Sequence, residues 1–121
     1  MDDKSQRMVW IDLEMTGLNI ERESIIEIAT VITDSQLNII AHGPNLAVTV
    51  SEKLLAGMDE WNTTHHHQSG LVERIRNEGV SISEAQQQTL EFLKQWVSPN
   101  SAPLCGNSVW NDRRFLDKEM P

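Results

Sequence analysis

Apolar positions crowd residues 8–16, where Val9, Trp10, Ile11, Leu13 and Met15 leave few polar places and Gly17 ends the run. That pattern predicts a buried strand. The charged exceptions are Asp12 and Glu14. A strand has period two, so both side chains point to one face, with Cα atoms about 6.5–7 Å apart. Two carboxylates on one face of an apolar strand repel each other and are costly to desolvate, and a divalent cation relieves both problems. The bland alternative is a pair of exposed acids on a half-solvated strand, although Trp10 and Thr16 share the acidic face.

The pattern then continues in short units. Residues 25–33 (Ile-Ile-Glu-Ile-Ala-Thr-Val-Ile-Thr) are rich in β-branched side chains and predict a second strand. Turn residues fill 34–38. Residues 39–42 and 46–50 predict a third strand broken at Gly43-Pro44, or two short ones. Short connections favour an antiparallel meander. Residues 51–61 have helical spacing at Leu54, Leu55 and Met58, with Ser51 as a cap. Residues 62–68 show no period and predict a loop, and 69–77 a short helix stopped by Gly79. Ser81-Ile-Ser-Glu84 matches a capping box, and its helix is expected to bury Ala85, Leu90, Leu93, Trp96 and Val97 before Ser98-Pro99 ends it. Leu104-Cys105 predicts a short buried strand. Asn107 or Ser108 caps a last helix carrying Val109, Phe115 and Leu116.

Asp112 falls on the apolar stripe of that last helix, three residues from Val109 and Phe115 and four from Leu116. An inward acid needs a partner. Two partners fit: a basic side chain such as Arg113 or Arg114, or a metal shared with Asp12 and Glu14.

Composition narrows the function classes. The chain has 121 residues, 39% apolar and 23% charged. That length suits a single domain able to bury about two-thirds of its unfolded surface. A net charge of −8 argues against a protein that grips long nucleic acid through a basic face, but not against a metal-bridged site for a short phosphate ligand. The single Cys105 excludes an internal disulfide and suits a reducing compartment. Residues 1–7 are polar with no apolar segment behind them, and no run reaches the roughly 18–20 apolar residues that span a bilayer, so a cytoplasmic protein without membrane contact is expected.

Three carboxylates drawn from a strand and a distant helix suit Mg2+ or Mn2+. Two such ions about 3.5–4 Å apart support phosphodiester cleavage. Zinc is less favoured, because Cys105 and the His65-His66-His67 run lack zinc-site spacing. Glycoside hydrolysis needs an acid and a base rather than three converging acids. A domain whose acids only form ion pairs is the non-enzymatic rival.

Ile11-Asp-Leu-Glu-Met-Thr-Gly-Leu18, Met58-Asp-Glu-Trp61, Ser69-Gly-Leu-Val72 and Gly106-Asn-Ser-Val-Trp-Asn-Asp-Arg-Arg-Phe-Leu116 together resemble the oligoribonucleases, and they arrive in family order. These are 3′→5′ exoribonucleases of the DEDD superfamily with a ribonuclease H-like fold. The resemblance implies an α/β mixed sheet, two-metal hydrolysis of dinucleotides to mononucleotides with Mg2+ or Mn2+, and a homodimer acting on short RNA. It implies that Asp12, Glu14 and Asp112 are the catalytic metal ligands. It implies that Leu18 is a wedge against the bases, that Trp61 stacks on a base, that His66 touches substrate and that Ser108 helps to form the phosphate-end pocket. Without the family, Leu18 and Trp61 read equally well as core, the histidines as a solvated loop and Ser108 as a helix cap. A proofreading-type DNA exonuclease of the same superfamily is the closest alternative. Asn111 departs from the family pattern just before the third acid. The family's fourth acid and general-base histidine lie in a His-x-x-x-Asp segment, and no such segment follows Asp112. Residues 1–121 are thus expected to be one exonuclease domain lacking the C-terminal strand and helix. A protein ending at Pro121 is expected to have little or no activity.

Overall fold

The structure is a computed structural model that describes residues 6–17, 19–58, 60–98, 102–106 and 109–119. Strands β1 (Met8–Met15), β2 (Ile25–Thr33) and β3 (Ile39–Ala47) form the expected meander. Helices α1 (Glu52–Ala56), α2 (Glu60–Gln68), α3 (Leu71–Glu78) and α4 (Ile82–Trp96) follow, then strand β4 (Leu104–Cys105) and helix α5 (Val109–Glu119). The sheet order is β3-β2-β1-β4, with β1 antiparallel to β2 and parallel to β4. None of the described helices is long and apolar enough to cross a membrane.

β1 alternates. Val9, Ile11, Leu13 and Met15 are buried, while Trp10, Asp12 and Glu14 share the more open face. Ile11, Leu13 and Met15 pack with Ile25, Ile28, Val48, Ala85 and Phe115 into one core cluster. A second cluster joins Ile26 and Ala47 to Leu55, Met58, Leu71, Val72 and Ile75, so α1 and α3 cover one side of the sheet.

Five expectations are corrected. The helix expected over residues 51–61 ends at Ala56, and Trp61 belongs to α2. The strand at Leu104-Cys105 is not buried, since Leu104 is exposed. β3 runs unbroken through Gly43 and Pro44. It is an edge strand among the described elements, where proline costs no ladder bond, and register shifts beside it absorb the irregularity. A Cβ at Gly43 would run into the Thr30 hydroxyl and the Phe92 ring, so the glycine permits α4 to lie close on β3. Residues 62–68 are helical, within α2, not a loop. Their inward positions are Asn62 and His66, four apart, so the helical period is carried by polar side chains that a hydrophobic pattern misses. Finally, Leu90 is 45% exposed, and α4 instead buries Ala85 and Thr89. Leu90, Leu93 and Val97 flank an open apolar groove with Val9 and Leu104.

Candidate active site

The site forms at the C-terminal end of β1. Among the described residues β4 pairs with Val9 and Trp10 alone, and no strand lies on that side of β1 from Ile11 onward. The chain leaves β4 at Gly106, where a Cβ would collide with the Ile11 carbonyl oxygen, and enters α5. Only glycine allows that approach. Further along α5, Lys118 Nζ donates to the carbonyls of Ile20 and Glu23, and Glu119 accepts from the Ile25 N–H at 2.9 Å. These bonds tie α5 to the loop after β1. Thr16 closes the same loop: its hydroxyl donates to the Glu23 carboxylate and accepts from the Ser24 N–H.

This packing brings Asp112 to the acids of β1. Asp112 is 5% exposed. Burial, then the negative charge of Asp12 and that of Glu14, push its carboxyl up to about 6, against a partial offset from the Leu13 N–H. Glu14 is raised as well. Burial is the main cause, and Asp12 and Glu27 add to it, while His66 and His65 act in the opposite sense. The basic-partner alternative for Asp112 finds no support. Among the described residues the ion pairs are Arg74–Glu27, Arg76–Glu52 and Arg113–Asp117, and none involves Asp112. Asp12 with two carboxyls raised by burial and neighbouring charge, and no cation paired with Asp112 among the described residues, make an oxygen donor set that would suit a hard divalent ion.

α2 supplies the other side of the site. Trp61 is 67% exposed and stacks on His65, with ring centroids 4.8 Å apart and planes 12° from parallel. His66 is fully buried, and its Nε2 donates to the Met15 carbonyl at 3.0 Å. From the sequence alone His65 falls in a solvated loop and has no role. Its signal was the four-residue spacing from Trp61, legible only once the segment is known to be helical. Leu18 and Ser108 lie outside the described residues, as does Asn107.

The profile of the RNase T exonuclease family matches residues 9–121. The chain belongs to the RNase T exonuclease family.

Within that family the oligoribonuclease resemblance holds along nearly the whole chain. The oligoribonuclease of Pseudomonas aeruginosa is 58% identical over 116 residues, covering 96% of this chain and 64% of the relative. That of Acinetobacter baylyi is 56% identical over 95% of this chain and 63% of the relative. That of Alcanivorax borkumensis is 55% identical over 100% of this chain and 67% of the relative. The chain therefore spans a little under two-thirds of the length of the first of these. The nuclease domain of 3′hExo, a DEDDh family member solved bound to rAMP, superposes with a TM-score of 0.72 over 98% of this chain and 60% of that one, at 14% identity. An Exonuclease I from Methylocaldum szegediense superposes with a TM-score of 0.57 over 90% of this chain and 22% of that one, at 18% identity. At those identities the two structures establish the fold, and it is the ribonuclease H-like α/β mixed sheet.

Proposed function

We propose that the whole protein is a 3′→5′ exoribonuclease that hydrolyses short oligoribonucleotides, dinucleotides above all, to mononucleotides. The observation that carries this is the convergence of Asp12, Glu14 and Asp112. Asp112 is buried with no basic partner among the described residues, and its proton affinity is raised by that burial and then by the charges of Asp12 and Glu14. The 58% identity to an oligoribonuclease over 96% of the chain supports this substrate class.

Asp12, Glu14 and Asp112 are the residues that would hold divalent ions, Mg2+ or Mn2+ by their oxygen-only donors. Two such ions, when bound, supply a nucleophile from water at neutral pH and a clamp on the leaving oxygen. The rest of the work falls to the chain itself. Asp112, fixed by the tether between α5 and the loop after β1, holds its carboxyl over that strand. Trp61 offers an exposed indole face, held by its stack on His65, to a nucleobase. His66 braces the strand end beneath Glu14 through the Met15 carbonyl. Leu18 and Ser108 are assigned the wedge and the phosphate-end pocket on the motif match alone. The same reading includes a homodimer and a cytoplasmic location. The net charge of −8 suits a ligand too short to need a basic track.

The test is turnover of an end-labelled diribonucleotide with Mn2+ by the whole protein. Mononucleotide release that falls by orders of magnitude in Asp12→Ala, with the fold retained, is expected. Faster hydrolysis of a primer-template mismatch than of the diribonucleotide would overturn the substrate assignment in favour of a proofreading-type enzyme.

A further inference from the structure

His66 is buried with half of its polar capacity unused. A carbonyl oxygen only accepts, so Nε2, 3.0 Å from the Met15 carbonyl, carries the ring proton. In the neutral ring Nδ1 is then a lone-pair donor, and it has no hydrogen-bond partner among the described residues. Leaving such an atom buried and unpaired costs about 1–3 kcal/mol. A histidine whose one ring N–H is anchored on a backbone carbonyl while the other nitrogen stays bare has the arrangement of a metal-ligating imidazole.

The groups gathered around the His66 ring fit the same chemistry. One donor atom each from Glu14, His65 and His66 lies within 4.8 Å of the other two. The three come from β1 and α2, and the residues are half-buried, exposed and buried in turn. Two imidazoles and one carboxylate are a different donor set from three carboxylates. They suit borderline ions such as Zn2+ and Co2+, with a fourth position left for water, and suit Mg2+ poorly.

We propose that Glu14, His65 and His66 form a transition-metal site of mixed nitrogen and oxygen donors beside the acidic cluster, sharing Glu14 with it. Ligand atoms of one Zn2+, at about 2.0–2.2 Å each, are at most roughly 4.4 Å apart. The exposed His65 is the member free to close that gap, and in doing so it leaves its stack on Trp61. Occupancy therefore draws Glu14 away from the acidic cluster and loosens the indole platform. The binding half of this inference stands on the three residues alone. The competitive half rests on the acidic cluster being the Mg2+ or Mn2+ site.

The experiment is a titration of the metal-free protein with Co2+, followed by visible absorption, and with Zn2+ and Mn2+, followed by calorimetry. One Co2+ is expected to bind with ligand-field bands, be displaced by Zn2+, and weaken at least about tenfold in His65→Gln. Asp112→Asn is expected to keep the Co2+ bands and lose Mn2+. Zn2+ is expected to raise the apparent Mn2+ dissociation constant in the native protein and not in His65→Gln. His66→Gln, checked for folding by circular dichroism, should behave as His65→Gln does. Unchanged Co2+ affinity and spectrum in His65→Gln overturn the site. Loss of the Co2+ bands in Asp112→Asn rather than in His65→Gln assigns the ion to the acidic cluster and overturns it equally. Mn2+ uptake that survives Asp112→Asn, with the Co2+ results as expected, sinks the acidic-site reading and leaves the histidine site standing.

Discussion

The imidazole of His66 donates to the carbonyl of Met15 across 51 residues of sequence, at 3.0 Å. The bond pins α2 to the end of β1, where the acids are, and it is fully out of water. It joins a helix with no apolar stripe to the strand that carries Glu14. His66→Ala removes the bond, strands the carbonyl and opens a cavity, so a loss of about 2–4 kcal/mol is expected. Urea denaturation with an unchanged m-value would register it. A loss below about 0.5 kcal/mol, the range of ordinary surface changes, would show that the helix is held by other contacts.

Asp112 gives the stability a pH signature. Its carboxyl is raised from the ordinary 3.8 to about 6 in the folded chain, by burial first and the neighbouring acids after. Between those values the folded state keeps a proton that the unfolded chain has released. The contribution is therefore fully favourable below 3.8, fades as pH rises towards 6, and stays lost above it. Over that span the loss is on the order of 2–3 kcal/mol. Asp112→Asn should stabilise the metal-free protein at pH 7.5 by about 1–3 kcal/mol, with the gain gone near pH 3.5. Chemical denaturation at the two pH values measures both numbers. A destabilised variant at pH 7.5 would mean that the carboxylate has a cationic partner.

Divalent ions should act on the same charge cluster. An ion that binds only the folded state at a hundred times its dissociation constant adds about 2.7 kcal/mol. Mn2+ is expected to raise the calorimetric melting temperature, a chelator to lower it again, and Asp12→Asn to remove most of the difference. A melting temperature indifferent to Mn2+ would count against any cation at the three acids.

Trp61 separates binding from folding. Its ring is two-thirds exposed, so Trp61→Ala should change stability by no more than about 0.5 kcal/mol. Affinity for a diribonucleotide should fall by about 1–3 kcal/mol, the usual worth of a base–aromatic stack. Equilibrium titration in Ca2+, read beside a denaturation curve, checks both halves. An equal loss of affinity in a variant of the exposed Trp110 would point to a general aromatic surface instead.

The sequence by itself determined the elements whose burial is apolar. The alternation of β1, the β-branched run of β2, the Ser81 cap of α4 and the inward stripe of α5 are all local patterns, and each element lies where its pattern put it. The pairing of Asp12 with Glu14 was legible for the same reason, since strand periodicity alone puts them on one face. Only the tertiary structure decided what those acids face. Asp112 met them instead of an arginine because β4 stops after Cys105 and Gly106 lets the chain turn in against Ile11. α2 was invisible because its buried positions are Asn62 and His66, and a polar residue shows its inward face only when the partner that satisfies it is present. The meeting of Glu14 with His65 and His66 had no signature in spacing at all. It depends on two elements some 50 residues apart, joined by a hydrogen bond to a backbone carbonyl, an acceptor that every residue carries and no sequence marks.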